Sequence, residues 1–269
     1  MEDDKHFINI GEPHCPLASV DRGRRVLVTS PESTRPMALD HDFCRIPVTP
    51  SETLIPEIPS DPGDSLYQGQ VYVAVKDSIS QPSSALRHAT ENSHLIGSSG
   101  KAIVASITDR GQNHNVRHGQ TQLASISTFQ RHNLDMVVGI NTCPGNSWAN
   151  PTERIMSVLN LALSGVSLSR EEMSKEKEEL IKTPTNMKEM RAAAKKNPDV
   201  KAVINDSLQK PLSILNNRFS QLSLKGSQFQ ILPPASDEQI HEQFLAVHEI
   251  DESIKVDETL EERKAAGMV

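Results

Sequence analysis

The sequence is poor in the large side chains that usually anchor a protein core. Aromatic residues make up 3% of its 269 residues, with a single tryptophan, whereas 13 glycines and 17 prolines interrupt the chain. Aromatic side chains supply much of the buried area in most cores. We therefore expect one sizeable domain with an appendage, a modest core and long connections.

Cysteines and long apolar runs are also scarce. Cys15, Cys44 and Cys143 are far apart, odd in number and without a Cys-x-x-Cys spacing, so we expect neither a disulfide framework nor a zinc site. No apolar run approaches the roughly 18 residues that cross a bilayer. The acidic start MEDDKHF also differs from a secretory signal. We expect a soluble, intracellular protein without a membrane anchor.

The chain lacks a basic surface. Its formal net charge is −7, and residues 237–269 hold ten acidic and three basic residues, so that residues 1–236 are neutral in balance. A neutral body with an acidic tail lacks the electrostatic footprint of a self-sufficient DNA-binding protein. Any role on nucleic acid must then depend on local patches or on a further domain.

Apolar patterns predict strands and helices in the first two thirds of the chain. Alternating or continuous β-branched segments predict strands, and apolar residues three or four apart predict helices. Residues 53–58 can also extend, although nearby prolines favour an edge strand. The alternation of strand and helix in the middle of the chain predicts parallel pairing in an α/β fold. The predicted strands are residues 7–10, 25–28, 70–76, 102–107 and 134–140, and the predicted helices are residues 81–88, 118–132 and 150–166.

The last hundred residues predict charged helices with thin apolar seams, separated by prolines. These helices are residues 169–182, 186–196, 199–219 and 237–249. Three regions follow from this change of character. We predict a core over residues 1–168, a helical extension over residues 169–232 and an acidic, helical or disordered tail over residues 233–269.

Two acidic residues stand where phosphodiester chemistry would need them. Asp109 follows an apolar strand at a glycine turn, and Glu153 lies in the first turn of a helix that begins at Asn150. Each has a local structural explanation, an Asx turn for Asp109 and a capping box for Glu153. Forty-three residues separate them, with one helix and one strand between. An RNase H-like layout brings such acids together, and two-metal catalysis needs shared carboxylates, so we interpret them jointly as metal ligands.

The segments around these acids resemble a known family. The stretch from TDRG through QTQLASISTF to LDMVVGINTCPGNSWANPTERIMSVLNLAL is similar to the second-Asp-to-Glu portion of invertebrate transposon-encoded DDE proteins and retroviral-type integrases. DDKHFINIGEP, MALDHDF and YQGQVYVAVKDSISQPSSALRHATE resemble the same group. The resemblance covers residues 2–170, extends more weakly to about 232, and is most specific in NPTER. It implies an RNase H-like mixed sheet flanked by helices, with a C-terminal helical extension.

The resemblance also implies a first acid on the first strand. Asp3 begins a pattern Asp-acid-x-x-Phe like that of mariner-type transposases, and Asp4 follows it. Neighbouring residues of a strand face opposite sides, so only one of the two can point inward. Asp40 and Asp42 are alternative candidates for this first acid, and Asp42 ranks next after Asp3 and Asp4. Because Met1 lies two residues before Asp3, we expect an N-terminally truncated core.

By this resemblance, the ancestral reaction is cleavage and transfer of DNA strands, dependent on two Mg²⁺ or Mn²⁺ ions. The implied ligands are Asp3 or Asp4, Asp109 and Glu153, and the nucleophile is water or a DNA 3′-hydroxyl. DNA is the implied partner, and the C-terminal helices would bind a second copy or another protein. The implied location is the nucleus.

A non-catalytic alternative remains open. The chain can be a domesticated or decaying RNase H-like remnant that binds nucleic acid or protein. The acidic tail and the run TDRGQNHN favour it, because related sequences carry a Gly-Gly-Pro-Asp-His type of run there. Arg110 beside Asp109 can also pair with the carboxylate and compete with a cation.

The remaining candidate residues point to structure rather than chemistry. His114, His118 and His132 show no metal-ligand spacing with Cys143, which predicts exposed histidines. Trp148 precedes a helix start, which predicts a hydrophobic staple.

Overall fold

A computed structural model describes residues 1–4, 7–18, 46–111, 113–143, 145–146 and 150–254. Contacts divide the chain into two compact units. The first unit comprises Met1–Ser83 and Thr142–Pro234, and the second comprises Ser84–Asn141 and Ala235–Val269. The regions predicted from the sequence, with boundaries at residues 168 and 232, stay predictions.

Seven helices and ten short or long strands occur within the described residues. In chain order they are β1 (Glu2–Asp4), β2 (Leu17–Ala18), β3 (Val48–Pro56), β4 (Gly69–Asp77), α1 (Ala85–Ser99), β5 (Ile103–Thr108), α2 (Gly119–Arg131), β6 (Met136–Asn141), α3 (Pro151–Leu163), β7 (Ser167–Leu168), α4 (Lys175–Lys182), α5 (Met187–Lys196), α6 (Pro198–Ser220), β8 (Ser223–Leu224), β9 (Ser227–Gln228), β10 (Gln230–Leu232) and α7 (Asp237–His248).

The first unit is built on a mixed sheet with the strand order β10-β4-β3-β1. β1 and β4 pair antiparallel with β3, and β10 pairs parallel with β4. Side chains alternate across a strand, so the even-numbered residues of β3 and the odd-numbered residues of β4 share one face. That face is buried and mostly apolar, and it carries Val48, Leu54, Val71, Val73 and Val75 together with the buried acid Glu52.

Helices α3 and α6 cover this apolar face. α3 contacts β1 and β3, and α6 contacts β4 and β10. Their buried residues recur every three or four positions and join the same core cluster as the sheet valines. These helix residues are Ile155, Leu159, Ala162, Leu163, Ile204, Leu208, Leu215 and Phe219.

The second unit contains two parallel strands and three helices. β5 and β6 pair in register from Ile103 opposite Met136 to Thr108 opposite Asn141. α1, α2 and α7 pack against one another, and α2 contacts β6. Their shared apolar cluster consists of Ala85, Leu86, Ala124, Phe244 and Val247.

The predicted mixed α/β class, with a sheet flanked by helices, is confirmed. The order of antiparallel strands followed by alternating helices and parallel strands is consistent with an RNase H-like fold. The predicted strands at 70–76, 102–107 and 134–140 are found as β4, β5 and β6. The predicted helices at 118–132 and 150–166 are found as α2 and α3.

Several predicted elements differ from the structure. The predicted helix 81–88 begins only at Ala85 and continues to Ser99. The predicted strand 7–10 is reduced to one bridge, Ile8 to Val48, and the predicted strand 25–28 lies outside the described residues. The predicted helix 169–182 begins only at Lys175. The backbone before Lys175 forms hydrogen bonds outside a helix. The Arg170 N–H donates to the Gly11 carbonyl at 2.9 Å, and the Glu171 N–H donates to the Ser207 carbonyl at 2.8 Å.

The Ser207 carbonyl is available for this bond because of a proline in α6. Pro211 stands four residues later, and it has no N–H to offer the Ser207 carbonyl within the helix. The N–H of Glu171 takes that place at 2.8 Å. Because of this proline, the segment that precedes α4 can be hydrogen-bonded to helix α6.

Arg170 holds this part of the first unit together. Its guanidinium is buried and donates to both carboxylate oxygens of Glu178, at 2.7 and 2.6 Å. Nε also donates to Glu12 at 3.1 Å, and the Met173 N–H donates to Glu178 at 2.9 Å. The hydrogen bond from Arg170 is the main reason that the pKa of the Glu178 carboxyl lies below its ordinary value.

Replacing Arg170 with Met should destabilise the protein by about 3 kcal/mol, because it leaves a buried carboxylate without its cation. The matched control is Lys182→Met in α4, where both side chains of the Lys182–Glu179 pair are exposed and the expected cost is below about 1 kcal/mol. Urea unfolding measures both. Equal small effects in the two variants would contradict the role given to Arg170.

The Glu178 carboxyl should also make the free energy of unfolding depend on pH in the acidic range. Its folded pKa lies below the ordinary value of 4.5, so its contribution is complete above about pH 4.5 and is lost as pH falls through the folded pKa. The difference in free energy of unfolding between the protein and Glu178→Gln should shrink over that range. Urea unfolding from about pH 6 to about pH 3 tests this. A difference that stays constant would exclude the linkage.

Candidate functional site

Asp3 and Asp4 occupy opposite faces of β1. β1 pairs with β3 so that Asp3 lies opposite Glu52 and Asp4 lies opposite Ser51. Glu52 is an even-numbered residue of β3 and therefore belongs to the face that also carries Leu54. The register thus places Asp3 on the face that α3 and α6 cover, and Asp4 on the other.

Asp3 and Glu52 form a buried pair of carboxylates in the first unit. Asp3 is 6% exposed and Glu52 is 0% exposed, and directly opposite residues of an antiparallel pair have Cβ atoms about 5 Å apart. The Asp4 N–H donates to Oδ1 of Asp3 at 2.8 Å. The two acids are therefore neighbours across the buried face of the β1–β3 pair. Sequence reasoning missed Glu52, although its signal is a charged residue within the apolar alternation of β3.

Asp4 is surrounded by donors of the first unit. Its Oδ1 accepts hydrogen bonds from the hydroxyls of Ser51 and Ser83, the latter at 3.1 Å. Nζ of Lys76 lies 3.9 Å from the same oxygen, and the Lys76 side chain is completely buried. The ammonium balances the charge of Asp4. Of the two acids predicted on the first strand, Asp3 is the more deeply buried.

Glu153 lies at the start of α3, beside β1. Asn150 caps the helix, with Oδ1 accepting from the Thr152 N–H at 3.3 Å and Nδ2 donating to the Glu2 carbonyl at 3.4 Å. Pro151 follows at the first helical position. The capping box expected between Asn150 and Glu153 is not formed, because the Glu153 N–H donates to the Asn150 backbone carbonyl at 3.1 Å.

The first turn of α3 leaves two side-chain oxygen groups available. The half-buried Glu153 carboxylate makes no hydrogen bond or ion pair with any residue that the structure describes. Thr152 is 0% exposed, and its hydroxyl has no hydrogen-bond partner among those residues. Thr152 shares the buried side of α3 with Ile155. Both groups are oxygen donors of the kind that Mg²⁺ and Mn²⁺ prefer.

Asp109 follows β5 in the second unit, and the Asx turn expected for it is formed. Its Oδ1 accepts from the Gly111 N–H at 2.8 Å. At the end of β6, the Asn141 amide donates to the carbonyls of Asp109 and His114, at 2.6 and 2.9 Å, and to the Thr108 hydroxyl at 2.9 Å. These bonds fix the loop after β5 to the end of β6.

The pairing of Asp109 with Arg110 that the sequence suggested is not formed. Within the described part of the chain Asp109 has no ion pair, and its side chain accepts only from the Gly111 N–H. The second carboxylate oxygen is therefore open to a cation. An Asx turn and metal binding are compatible, because the turn uses one oxygen.

A buried histidine lies beside Asp109. A ring nitrogen of His114 is within 4.8 Å of an Asp109 carboxylate oxygen. A ring nitrogen of His114 is also within 4.8 Å of a ring nitrogen of His88. The rings of His88 and His114 are 4.7 Å apart between centroids. Asp109 and His114 are near enough to one another to contribute ligands to a metal site. The expectation that His114 is exposed is wrong, since it is 5% exposed. Its neighbour His88 comes from α1, so no local spacing could reveal the pair.

The other predicted candidates lie outside the described residues. These are Asp40, Asp42 and Trp148. Glu153 belongs to no group of three or more metal-ligating side chains within 4.8 Å of one another among the residues described. In the same part of the chain, every helix is too short or too polar to cross a membrane.

Comparisons of the chain with protein-family models, with curated proteins and with solved structures give no match. A functional assignment therefore depends on the geometry and chemistry of the side chains described above.

The contact between Lys76 and Asp4 predicts a measurable coupling. Lys76→Met should lower the free energy of unfolding by about 3 to 5 kcal/mol, because Asp4 then loses its buried counter-charge. The double variant Asp4→Asn/Lys76→Met should be more stable than the sum of the single losses implies, by about 1 to 3 kcal/mol. A double-mutant cycle by urea unfolding measures this term. Strict additivity would show that the two side chains do not interact.

Proposed function

We propose that the chain is a DDE-type protein of transposase or integrase ancestry, with divalent-metal-dependent cleavage and transfer of DNA strands as its reaction. The observation that carries the proposal is the placement of Asp3. Its carboxylate is buried on the covered face of the sheet, opposite a second buried carboxylate, Glu52. Carboxylate oxygens on neighbouring positions of a buried strand pair are ligands of the kind that divalent cations prefer.

The ligands that the resemblance implies are Asp3, Glu153 and Asp109. All three offer hard carboxylate oxygens, which suit Mg²⁺ and Mn²⁺. When bound, two such ions stabilise the attacking and leaving oxygens of an in-line displacement at phosphorus. No protein side chain needs to attack, so the nucleophile is water or a DNA 3′-hydroxyl.

The residues of the first unit then have distinct tasks. Asn150 ties the start of α3 to β1 through the Glu2 carbonyl, which sets the position of Glu153 relative to the strand that carries Asp3. Lys76 lies beside Asp4 and supplies positive charge next to the strand that carries Asp3. Glu52 adds negative charge next to Asp3 and strengthens its attraction for a cation.

The second unit favours Mn²⁺ over Mg²⁺. His114 places an imidazole within 4.8 Å of Asp109, and imidazole binds transition metals much better than Mg²⁺. We therefore expect the activity with Mn²⁺ to equal or exceed that with Mg²⁺.

A non-catalytic binding role is the second candidate, and one observation favours it. The Asx turn of Asp109 with Gly111 accounts for the position of that acid without a metal ion. A remnant that keeps the fold and binds nucleic acid or protein needs no more than this. The two candidates differ in whether the purified chain cleaves DNA.

Nuclease and strand-transfer assays test the proposal. The purified chain should cleave or join nicked and branched DNA with Mn²⁺, and Glu153→Gln or Asp109→Asn should lower the rate at least about a hundredfold, because each removes a ligand charge. The matched control is Asp64→Asn, which changes an exposed acid of the first unit and should leave the rate unchanged.

Two outcomes would decide against the assignment. Cleavage that survives Glu153→Gln would remove that residue from the site. Absence of cleavage by the unmodified chain, together with retained DNA binding, would favour the non-catalytic role.

A further inference from the structure

Helix α5 of the first unit carries more positive than negative charge. Four of its ten residues are basic and only Glu189 is acidic. The preceding helix α4 differs, since it carries three basic and three acidic residues. At an ionic strength of about 0.1 M, exposed charges more than about 10 Å apart are largely screened from one another. The local excess of charge on α5 therefore matters more for its partners than the net charge of the chain.

The lysines of α5 lie on the side of the helix that faces away from the core. Successive residues of an α-helix are about 100° apart. Met190 and Ala194 are buried in the core of the first unit, and the helical angles place Lys188, Lys195 and Lys196 on the opposite half of α5. All three lysines are exposed. These three residues are named the basic strip.

The charge of the basic strip is not paired within the described part of the chain. None of its three ammonium groups forms an ion pair or a hydrogen bond with a residue that the structure describes. The one acid of α5, Glu189, is engaged by the segment before the helix, because its carboxylate accepts from the Thr185 N–H and hydroxyl at 2.8 and 3.0 Å. The basic strip can therefore attract a negatively charged partner.

The stability of the helix does not account for the whole basic strip. Lys195 and Lys196 lie in the last turn of α5, where cations stabilise a helix through its dipole. Lys188 is the second residue of the helix, and a cation in the first turn is unfavourable. The position of Lys188 thus calls for another explanation.

The surface between the lysines suits a polyanion better than a folded protein. Ala192 lies at the centre of the exposed side of α5, and the helix contains no aromatic residue. Protein interfaces depend on large buried anchors, above all aromatic side chains. A phosphate backbone needs cations but no apolar pocket, and a small side chain at the centre of the strip lets it approach the helix.

We propose that the basic strip of α5 binds the phosphate backbone of double-stranded DNA. Lys188 and Lys196 are about 12 Å apart along the helix. Over that length a DNA duplex carries about seven phosphates, at one charge per about 1.7 Å. The strip has no aromatic side chain for the stacking that single-strand binding uses. It also has no amide or hydroxyl side chain for the 2′-hydroxyls that double-stranded RNA presents.

This inference does not rest on the proposed function, because binding through phosphates needs no metal ion. It adds a place on the first unit where DNA is held. Binding can be measured in EDTA, which removes divalent metal ions and with them the proposed cleavage. Failure of the basic strip and failure of the proposed function would therefore be seen in different experiments.

Fluorescence anisotropy in EDTA tests the proposal, with a fluorescein-labelled duplex of about 20 base pairs and salt from about 25 to about 200 mM. The triple variant Lys188→Gln/Lys195→Gln/Lys196→Gln should bind the duplex at least about tenfold more weakly than the full chain at about 50 mM salt. The slope of log K against log salt concentration should also become shallower by about 2.7, at about 0.9 for each lost phosphate contact.

A matched control removes the same charge from α4. The variant Lys175→Gln/Lys177→Gln/Lys182→Gln lowers the net charge equally, but its lysines alternate with acids, so affinity should change less than about twofold. Replacing the three lysines of the basic strip with arginine keeps the charge and should retain binding. Circular dichroism checks that each variant is folded.

Three results would overturn the proposal. One is the absence of duplex binding by the full chain at about 50 mM salt. Another is an equal loss in the two glutamine variants, which would assign binding to net charge alone. The third is binding of fluorescein-labelled poly-L-glutamate that depends on the basic strip as strongly as DNA binding does, which would assign the strip to acidic proteins.

Discussion

The pairing of the three-residue strand β1 with β3 is the constraint on which the candidate site depends. The Leu54 N–H donates to the Met1 carbonyl at 2.8 Å, and the register sets Asp3 opposite Glu52. A shift by one residue would exchange the faces of Asp3 and Asp4. Asp3 would then lose its place on the covered face of the sheet. The whole assignment of the first-strand acid therefore depends on a few backbone hydrogen bonds.

Buried charge gives this short strand its specificity. Lys76 is fully buried and lies 3.9 Å from Asp4, so a slipped register would separate an ion pair within the protein interior. Breaking such a pair costs more than forming it gains. The charged residues near β1 thus penalise wrong registers.

Much of the fold could be predicted from the sequence where patterns are local. β4, β5, β6, α2 and α3 follow from their apolar periodicity. β3 was harder, because Pro50 suggested an edge strand although β3 lies between β1 and β4. The N–H of Val48 points toward the side of β1, where it donates to the Ile8 carbonyl at 3.0 Å. Pro50 points the same way, beyond the last β1 residue, Asp4, so its missing N–H costs no ladder bond.

The candidate site was predictable only in part. Asp109 and Glu153 stand at element ends that the sequence marks with glycine and proline. The pairing of Glu52 with Asp3 depends on strand register, and the burial of His114 depends on packing between distant segments, so neither follows from spacing along the chain.

The most direct test of the central claim is an anomalous difference map from crystals soaked in Mn²⁺. The account predicts a peak at about 2.1 to 2.3 Å from a carboxylate oxygen of Asp3, with Glu153 or Asp109 as a further ligand. A peak held by Asp4 instead, or peaks confined to exposed acids away from β1, would contradict it.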